Sequence, residues 1–311
     1  MNWIAFLPAA VVAGTPLLFA TLGEIIMERV GSLNLGVEGL MLMGSAVGFS
    51  AGLSTKSPIL AMLAAVAAGA LGGLIYAFIT VTLRANQVVT GLTLTIFGTG
   101  FASIMGKTMV GQSAPDSIKH FFHTYSIPLL GKIPVLGPVF FRQDVFVYFG
   151  YIVAVIVGIY IYNTSKGLNL RAVGENPGCA DAASVNISLY KYVHILLGSA
   201  LCGLGGAYLS LVYVNSWQDN VVTGRGWIAI ALVIFAAWNP YKAIIGAYLF
   251  GGMSILGFYL QHTKLYWISQ YLVDMLPYVV TIIILVIVSI IKSKTSSPPK
   301  NLGNAYFREE R

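Results

Sequence analysis

Charged residues are scarce in this 311-residue chain: Asp, Glu, Lys and Arg together make up 9% of it, against about 25% in soluble domains. Apolar residues make up 57%. This balance excludes an ordinary soluble enzyme and indicates an integral membrane protein. Cysteine is scarce too: Cys179 lies in a polar segment and Cys202 in an apolar one, so no disulfide framework is predicted.

Motifs for bond-making chemistry are also missing. The histidines have no metal-site spacing of the H-E-x-x-H kind, and no G-x-S-x-G nucleophile motif occurs. Gly106-Lys107-Thr108 resembles the end of a phosphate-binding loop, but Phe101 stands where that motif requires glycine. No basic patch interleaved with aromatic residues suggests nucleic-acid binding. We predict no catalytic residues, no metal, no cofactor and no nucleic-acid partner.

The chain does contain a series of long apolar runs without charge. Most approach or exceed the roughly 20 residues that a helix needs to cross about 30 Å of hydrocarbon. The runs are apolar on every face, which favours helices over strands of alternating polarity. They are Met1–Gly23, Gly39–Thr55, Ser57–Leu83, Ala85–Gly106, Val145–Ser165, Tyr192–Gln218, Gly226–Tyr241, Ala243–Thr263 and Met275–Ile291. We predict an all-α, polytopic transmembrane bundle of about 8 to 10 membrane segments, some of them broken or re-entrant.

Basic residues next to the runs predict the orientation. Lys and Arg collect in the tail 292–311 and in the polar loop 163–191, so both are placed in the cytoplasm. The loop 106–143 is placed outside; it is long enough to be a weak topological signal, and its prolines suggest an ordered cap. Residues 1–291 then form a single membrane domain, multi-pass and surrounded by lipid.

The first apolar run is followed by a polar interruption at Gly31–Gly36. Asn34 can cap the helix that follows through its side-chain oxygen. Glu38 would lie in the first turn of that helix, where a carboxylate favours the positive helix end. Such breaks commonly line a substrate pathway. A break that only positions Glu24 and Glu28 at the membrane interface remains the alternative.

Two further interruptions resemble the first. Asn86 stands at a helix start with Thr90 one turn later, where both could bond exposed backbone or a polar solute. Gly224 permits a tight turn before a short apolar helix that begins near Trp227 and ends at Asn239-Pro240. For each break a structural role and a pathway role both remain open.

The polar loop 163–191 carries a compact helix signal. Asn176 followed by Pro177 is typical of an N-cap and a first helical residue. The segment Pro177–Val185 is rich in small residues, which predicts a thin helix able to dock into a groove of another protein. The alternative is a simple connector.

Three stretches together resemble a known family. They are GEIIMERVGSLNLGVEGLMLMGS, LRAVGENPGCADAASVN and GRGWIAIALVIFAAWNPYKAIIGAYLFGG. In this order they resemble the permease subunits of ATP-binding cassette importers, in the group that serves nucleosides, simple sugars and branched-chain amino acids. The string LNLGVEG is closer to nucleoside permeases than to sugar permeases. Cys179 departs from the larger polar or basic residue expected there, which bears on the details of docking.

The resemblance implies two sets of functional residues. The polar loop would be the cytoplasmic coupling helix that receives motion from an ATPase, through Gly174, Glu175, Asn176, Pro177, Ala180 and Ala183. The translocation pathway would be bordered by Asn34, Glu38, Gly224 and Trp227. Asn86 and Thr90 remain pathway candidates from the second break alone.

The resemblance also implies partners. A separate ATP-binding subunit would hydrolyse ATP, a second related permease would complete the pathway, and a solute-binding lipoprotein would deliver substrate. The expected activity is nucleoside import by alternating access across the bacterial cytoplasmic membrane. Import of a ribose-like or galactose-like sugar is the alternative. An ion-coupled secondary transporter is a third hypothesis, and it would require acidic ion sites within the helices.

Overall fold

A computed structural model describes residues 3–134, 136–261, 275–277, 279–283, 286 and 297–308. Within these ranges the chain is mainly helical. Its helices, in chain order, are α1 (Trp3–Arg29), α2 (Val37–Thr55), α3 (Pro58–Ala77), α4 (Gln87–Gly106), α5 (Asp116–Phe121), α6 (Leu136–Phe140), α7 (Val145–Asn163), α8 (Ser165–Glu175), α9 (Pro177–Ala182), α10 (Ile187–Tyr208), α11 (Arg225–Phe235) and α12 (Pro240–Gln261).

The described residues contain 6 helical segments that are long and apolar enough to cross a membrane. They are Ala5–Arg29, Val37–Thr55, Pro58–Thr82, Gln87–Gly106, Val145–Asn163 and Ile187–Tyr213. Helix α12 adds 22 residues, whereas α11 has 11 and is only about 16 Å long. The predicted helical bundle with a broken segment is confirmed. The predicted membrane segment Met275–Ile291 lies partly outside the described residues and is helical where they include it.

Close helix packing around α10 follows from small residues. A Cβ atom on Gly198 would collide with the Gly23 backbone and lie 2.6 Å from the Met27 side chain, so α10 approaches α1 backbone to backbone. Gly203 meets α2 and α3 in the same way at Gly44 and Gly69. Lipid is as apolar as the side chains, so helices in a membrane associate through close packing, which small residues permit. Helix α10 therefore packs at the centre of the bundle, against α1, α2 and α3.

The two ends of the bundle carry the two long loops. Helix α7 leads from the loop 106–143 to the loop 163–191, so these loops lie at opposite ends. We call the second the polar-loop end. The described residues of the loop 106–143 contain α5 and α6. They also contain short antiparallel strands that the all-α prediction lacked: β1 (Thr124–Ser126) pairs with β2 (Arg142–Asp144).

Candidate functional site

The backbone between α1 and α2 is held by side chains from three helices. Leu33 N donates to Gln87 Oε1 of α4 at 2.8 Å, and Leu33 O accepts from Tyr76 Oη of α3 at 2.6 Å. Asn34 N donates to Glu24 Oε1 of α1 at 3.2 Å. Buried backbone groups outside regular structure need such partners. The helix break is therefore a fixed part of the fold.

Asn34 serves this break differently from the prediction. Its Oδ1 accepts from Gly36 N at 2.8 Å, which closes a turn two residues long. The N-cap of α2 is Gly36, and no side chain caps the helix. The expected capping of α2 by Asn34 is therefore wrong, because the turn before the helix already occupies this oxygen. Glu38 does lie in the first turn of α2, as expected.

The Glu38 carboxylate joins α2 to the start of α11. Its Oε1 accepts from Gly224 N and its Oε2 from Gly226 N, each at 2.7 Å. We call this contact the Glu38 bridge. The first N–H groups of a helix have no intrahelical partner and carry partial positive charge, so a carboxylate is well suited to them. Gly224 has φ 79°, and a Cβ atom on Gly226 would lie 2.5 Å from Glu38 Cα.

The other end of α11 is held by α1. Trp238 Nε1 donates to Glu28 Oε2 at 2.5 Å, and Arg29 donates to Trp238 O through Nε at 3.2 Å and Nη2 at 3.1 Å. Ala237 and Trp238 have φ 51° and 54°, so the chain turns sharply there. The short helix is thus fixed at both ends by residues next to the first break. This role of Glu28 was not predicted, and Trp238 beside Asn239-Pro240 was the available sequence signal.

The structure places the predicted pathway residues in two groups. Glu38 and Gly224 are in direct contact, and Asn34 lies in the same break. Asn34 and Glu38 are buried, with 0% and 6% exposure, whereas Trp227 is 39% exposed. The side-chain polar atoms of Asn34 and Glu38 bond the chain itself in this conformation.

The remaining pair lies at the start of α4. Asn86 caps that helix by accepting from Val89 N at 3.1 Å, as predicted. Thr90 Oγ1 donates back to Asn86 O at 2.8 Å, so its hydroxyl satisfies backbone. Thr90 also lines an apolar groove between α3 and α4 together with Tyr76 and Phe97. Two neighbours of this pair connect it to the first break: Gln87 accepts from Leu33 N, and a Cβ atom on Gly91 would lie 2.6 Å from Leu35 N.

The helix predicted in the polar loop is present and shorter than expected. Asn176 Oδ1 accepts from Cys179 N at 3.1 Å, and Pro177 is the first helical residue, as predicted. Helix α9 ends at Ala182 and not at Val185. Val185 N instead bonds Ala180 O at 3.0 Å across Ser184, which has φ 62°, so the chain leaves the helix in a left-handed turn.

The six predicted coupling residues divide by exposure. Glu175, Asn176 and Ala183 are exposed, whereas Gly174, Pro177 and Ala180 are buried against the bundle. A Cβ atom on Gly174 would collide with Arg29 O at the end of α1. The loop therefore presents one face outward and is seated closely on the break between α1 and α2 with the other.

Residues 297–308, which we call the C-terminal strap, cross the polar-loop end. Asn301 N donates to Gly174 O at 3.0 Å and Gly303 N to Gly31 O at 3.3 Å. Gln87 Nε2 donates to Asn304 O at 3.4 Å. These residues were expected in a cytoplasmic tail, and no local sequence pattern indicates that they bind the break.

The strap also holds α9 through Asp181. Tyr306 Oη donates to Asp181 Oδ2 at 3.0 Å, and Arg308 Nε lies 3.3 Å from the same oxygen. The strap thus connects α9 to the backbone on either side of the first break. This link joins residues more than a hundred positions apart, so no local pattern predicts it.

Comparisons with known proteins agree with this architecture. The family described as the permease component of branched-chain amino acid transport systems matches residues 7–285. A guanosine ABC transporter permease of Bacillus subtilis is 34% identical over 291 residues, 89% of this chain and 90% of its own. A nucleoside ABC transporter permease of Lactococcus lactis is 34% identical over 281 residues, 87% and 88%. A putative glucose ABC transporter permease of Haloferax volcanii is 38% identical over 254 residues, 80% and 76%.

A solved structure shares the fold. The complex of PsaBC from Streptococcus pneumoniae with a Fab matches with a TM-score of 0.51 and 12% identity, over 95% of this chain and 93% of that one. The chain belongs to the permease family of ABC transporters. It is a multi-pass transport component of the bacterial inner membrane.

Proposed function

We propose that the chain forms the translocation pathway of an ATP-driven nucleoside importer. The observation that carries this proposal is the 34% identity to guanosine and nucleoside permeases over nearly the whole of both chains. A pathway with few fixed charges suits a neutral, polar solute. Alternating access follows from the need to avoid a path open at both ends.

The substrate assignment has one specific rival. The putative glucose permease is more similar, at 38%, although over a shorter part of the chain. Uptake of radiolabelled guanosine into vesicles that contain the complete transporter decides between them. We expect competition by unlabelled nucleosides and none by glucose, ribose or galactose. Sugar uptake that nucleosides do not inhibit would overturn the nucleoside assignment.

Helix α11 and the break before α2 would move together as one rigid unit of this importer. The Glu38 bridge attaches both to one carboxylate, and Trp227 lies on the exposed side of α11. Movement of α2 relative to α4 would carry the start of α11 with it. Asn34, Glu38, Asn86, Thr90, Gly224 and Trp227 remain the proposed pathway residues on this basis.

Helix α9 would receive the motion from an ATP-binding subunit that lies in the cytoplasm. Glu175 and Ala183, which are exposed and flank α9, can meet a partner, while the buried Pro177 and Ala180 of α9 pass force to the bundle. Two contacts connect α9 to the first break. Gly174 packs against Arg29 O, and the C-terminal strap bonds the backbone of Gly174 and Gly31. The ATP-binding subunit hydrolyses ATP in this proposal, and this chain carries no part of that reaction.

Two further partners complete the proposal. Helix α4 exposes large apolar residues to the outside of the bundle, with Val89 at 60%, Ile96 at 74% and Ile104 at 79% exposure. This face supports contact with membrane lipid or with a second related permease. A solute-binding lipoprotein would meet the opposite end, at the ordered loop 106–143.

The coupling assignment is tested with Glu175→Gln and Pro177→Ala in the complete transporter. We expect less solute moved per ATP hydrolysed, because the first variant changes the docking face and the second loosens the start of α9. Lys242→Gln is the matched control, since Lys242 is exposed and lies outside the polar loop. An unchanged ratio of uptake to hydrolysis in both variants would contradict the coupling role of α9.

A further inference from the structure

A polar cavity of about 490 Å³ opens at the polar-loop end, apart from the first break and from α11. It lies between the end of α3, the start of α10 and the C-terminal strap. Its volume is within the range of small-molecule sites, about 300 to 1,000 Å³. The lining residues that matter for its chemistry are Arg84, Asp181, Asn186, Ser188, Lys191 and Arg308.

Lys191 is a buried cation in this cavity. Lys191 is only 4% exposed, and its Nζ donates to the Asn304 carbonyl at 3.5 Å. In the described part of the chain it forms no ion pair with a carboxylate. Burying an ammonium group is costly unless a negative charge accompanies it. One long bond to a neutral carbonyl leaves most of that requirement unmet.

Arg84 supplies a second cation at the rim. Its guanidinium lies 4.6 Å from the centre of the Phe307 ring, so the strap holds it at the mouth of the cavity. Its backbone is left-handed, with φ 58°, which is uncommon for a residue with a side chain. Stacking on an aromatic face leaves the guanidinium edge able to bind an oxyanion through paired N–H donors. Within the described ranges Arg84, like Lys191, forms no ion pair.

The cavity therefore carries excess positive charge. Arg84, Lys191 and Arg308 contribute three cations, and Asp181, which Arg308 contacts, contributes one carboxylate, so two positive charges remain unmatched among the described lining residues. The start of α10 adds to this field, because Asn186, the N-cap of that helix, and the first helical residues Ile187 and Ser188 line the cavity. A helix start of this kind attracts anions.

We propose that this cavity binds a phosphate-bearing anion. A phosphate group offers several oxygens, which suit a buried ammonium, a guanidinium edge and a helix N-terminus together. The anion is either a soluble phosphate compound or the headgroup of an anionic lipid, since both present the same chemistry. Its binding would hold the strap against α3 and α10, because Asn304, Phe307 and Arg308 all reach the cavity cations or its wall.

The test uses the full chain in nanodiscs of neutral phosphatidylcholine, with inorganic pyrophosphate as the soluble probe. We expect pyrophosphate to bind in calorimetry and to raise the unfolding temperature. Arg84→Gln and Lys191→Gln should each weaken that binding at least tenfold. Lys242→Gln is the matched control and should bind as the unchanged chain does, because Lys242 is an exposed lysine outside the cavity.

A second arm replaces the lipid with phosphatidylglycerol and omits pyrophosphate. Stabilisation in this arm alone, lost in Arg84→Gln, supports the proposal with a lipid headgroup as the ligand. Stabilisation by pyrophosphate in neutral lipid supports a soluble ligand. Should Lys191→Gln misfold, Arg84→Gln still decides, because Arg84 is exposed. No stabilisation in either arm, or stabilisation that both substitutions leave unchanged, overturns the proposal.

Discussion

Helices α11 and α9 are both short and both held by carboxylates, but in different surroundings. Glu38 and Glu28 hold the ends of α11 inside the bundle, with 6% and 2% exposure. Asp181 holds α9 to the strap at the surface, through an arginine whose side chain is 76% exposed. Buried charge-assisted bonds are strong and costly to break, whereas exposed ion pairs contribute little. Helix α11 is therefore attached rigidly to α1 and α2, whereas water, salt or a partner can loosen the attachment of α9. We call these two attachments the joints of α11 and α9.

The largest expected effect is that of Glu38→Gln. The amide keeps one acceptor oxygen but turns an N–H₂ group towards the second backbone N–H, so one bond is lost and a clash of donors replaces it. We expect the free energy of unfolding to fall by about 2 kcal/mol, and uptake to fall with it. Chemical unfolding in detergent measures the first and vesicle uptake the second.

Glu175→Gln is the matched control for this loss. Glu175 is exposed, so its substitution should change the free energy of unfolding by less than about 0.5 kcal/mol. Equal losses from Glu38→Gln and Glu175→Gln would remove the distinction between the two joints.

A smaller effect is expected at the other end of α11. Trp238→Phe keeps an aromatic ring in the core but removes the donor that Glu28 Oε2 accepts from at 2.5 Å. The expected loss is about 1 to 2 kcal/mol, because a buried carboxylate oxygen is left with one partner fewer.

Trp227→Phe serves as the comparison in the same unfolding assay, since Trp227 is 39% exposed on the same helix. It should lose less than Trp238→Phe. If the exposed substitution proved the more damaging, α11 would be held by its outer face and not by its ends.

The sequence predicted what depends on neighbours along the chain. Apolar runs located the spans because a helix satisfies its own backbone in lipid. The caps at Asn86 and Asn176 were predictable because a cap bonds a residue only three positions away. The break before α2 was predictable from Gly31 and Asn34 for the same reason.

What the sequence did not predict depends on residues far apart. Glu38 was correctly placed in the first turn of α2, but nothing local indicates that its carboxylate bonds a helix start 186 positions later. The link from Tyr306 to Asp181 spans 125 positions. Both pairings are decided by how the helices pack, so only the folded chain identifies α11 and α9 as the two held elements.

Asp181→Asn should change stability least among the joint residues while still affecting transport. The lost pair with Arg308 is exposed on one side, so we expect about 0.5 kcal/mol or less, diminishing as salt is added. The amount of solute moved per ATP hydrolysed should fall clearly although the free energy of unfolding hardly changes, because the strap would no longer hold α9. The ratio of uptake to ATP hydrolysis at low and high salt measures this.

Asp116→Asn is its matched control, because Asp116 forms a surface pair with Lys119 at 3.8 Å in the loop at the opposite end. It should leave the ratio of uptake to hydrolysis unchanged. A loss of coupling in Asp116→Asn as large as that in Asp181→Asn would show that the effect does not pass through α9.

Asp144 provides a third setting, a buried carboxylate that caps the full-length helix α7 and bonds neither α9 nor α11. Its Oδ1 accepts from Val147 N at 2.9 Å and its Oδ2 from Tyr208 Oη at 2.9 Å. Burial raises the pKa of Asp144 above its ordinary value of 3.8. The folded state then retains a proton that the unfolded chain has already released, so stability falls as pH rises from that value through the raised pKa.

Asp144→Asn keeps a capping oxygen, so it should change stability little below this pH interval and flatten the curve of stability against pH across it. Unfolding temperatures of both chains between about pH 3.5 and 7 measure the difference, and parallel curves would mean that Asp144 titrates alike in both states.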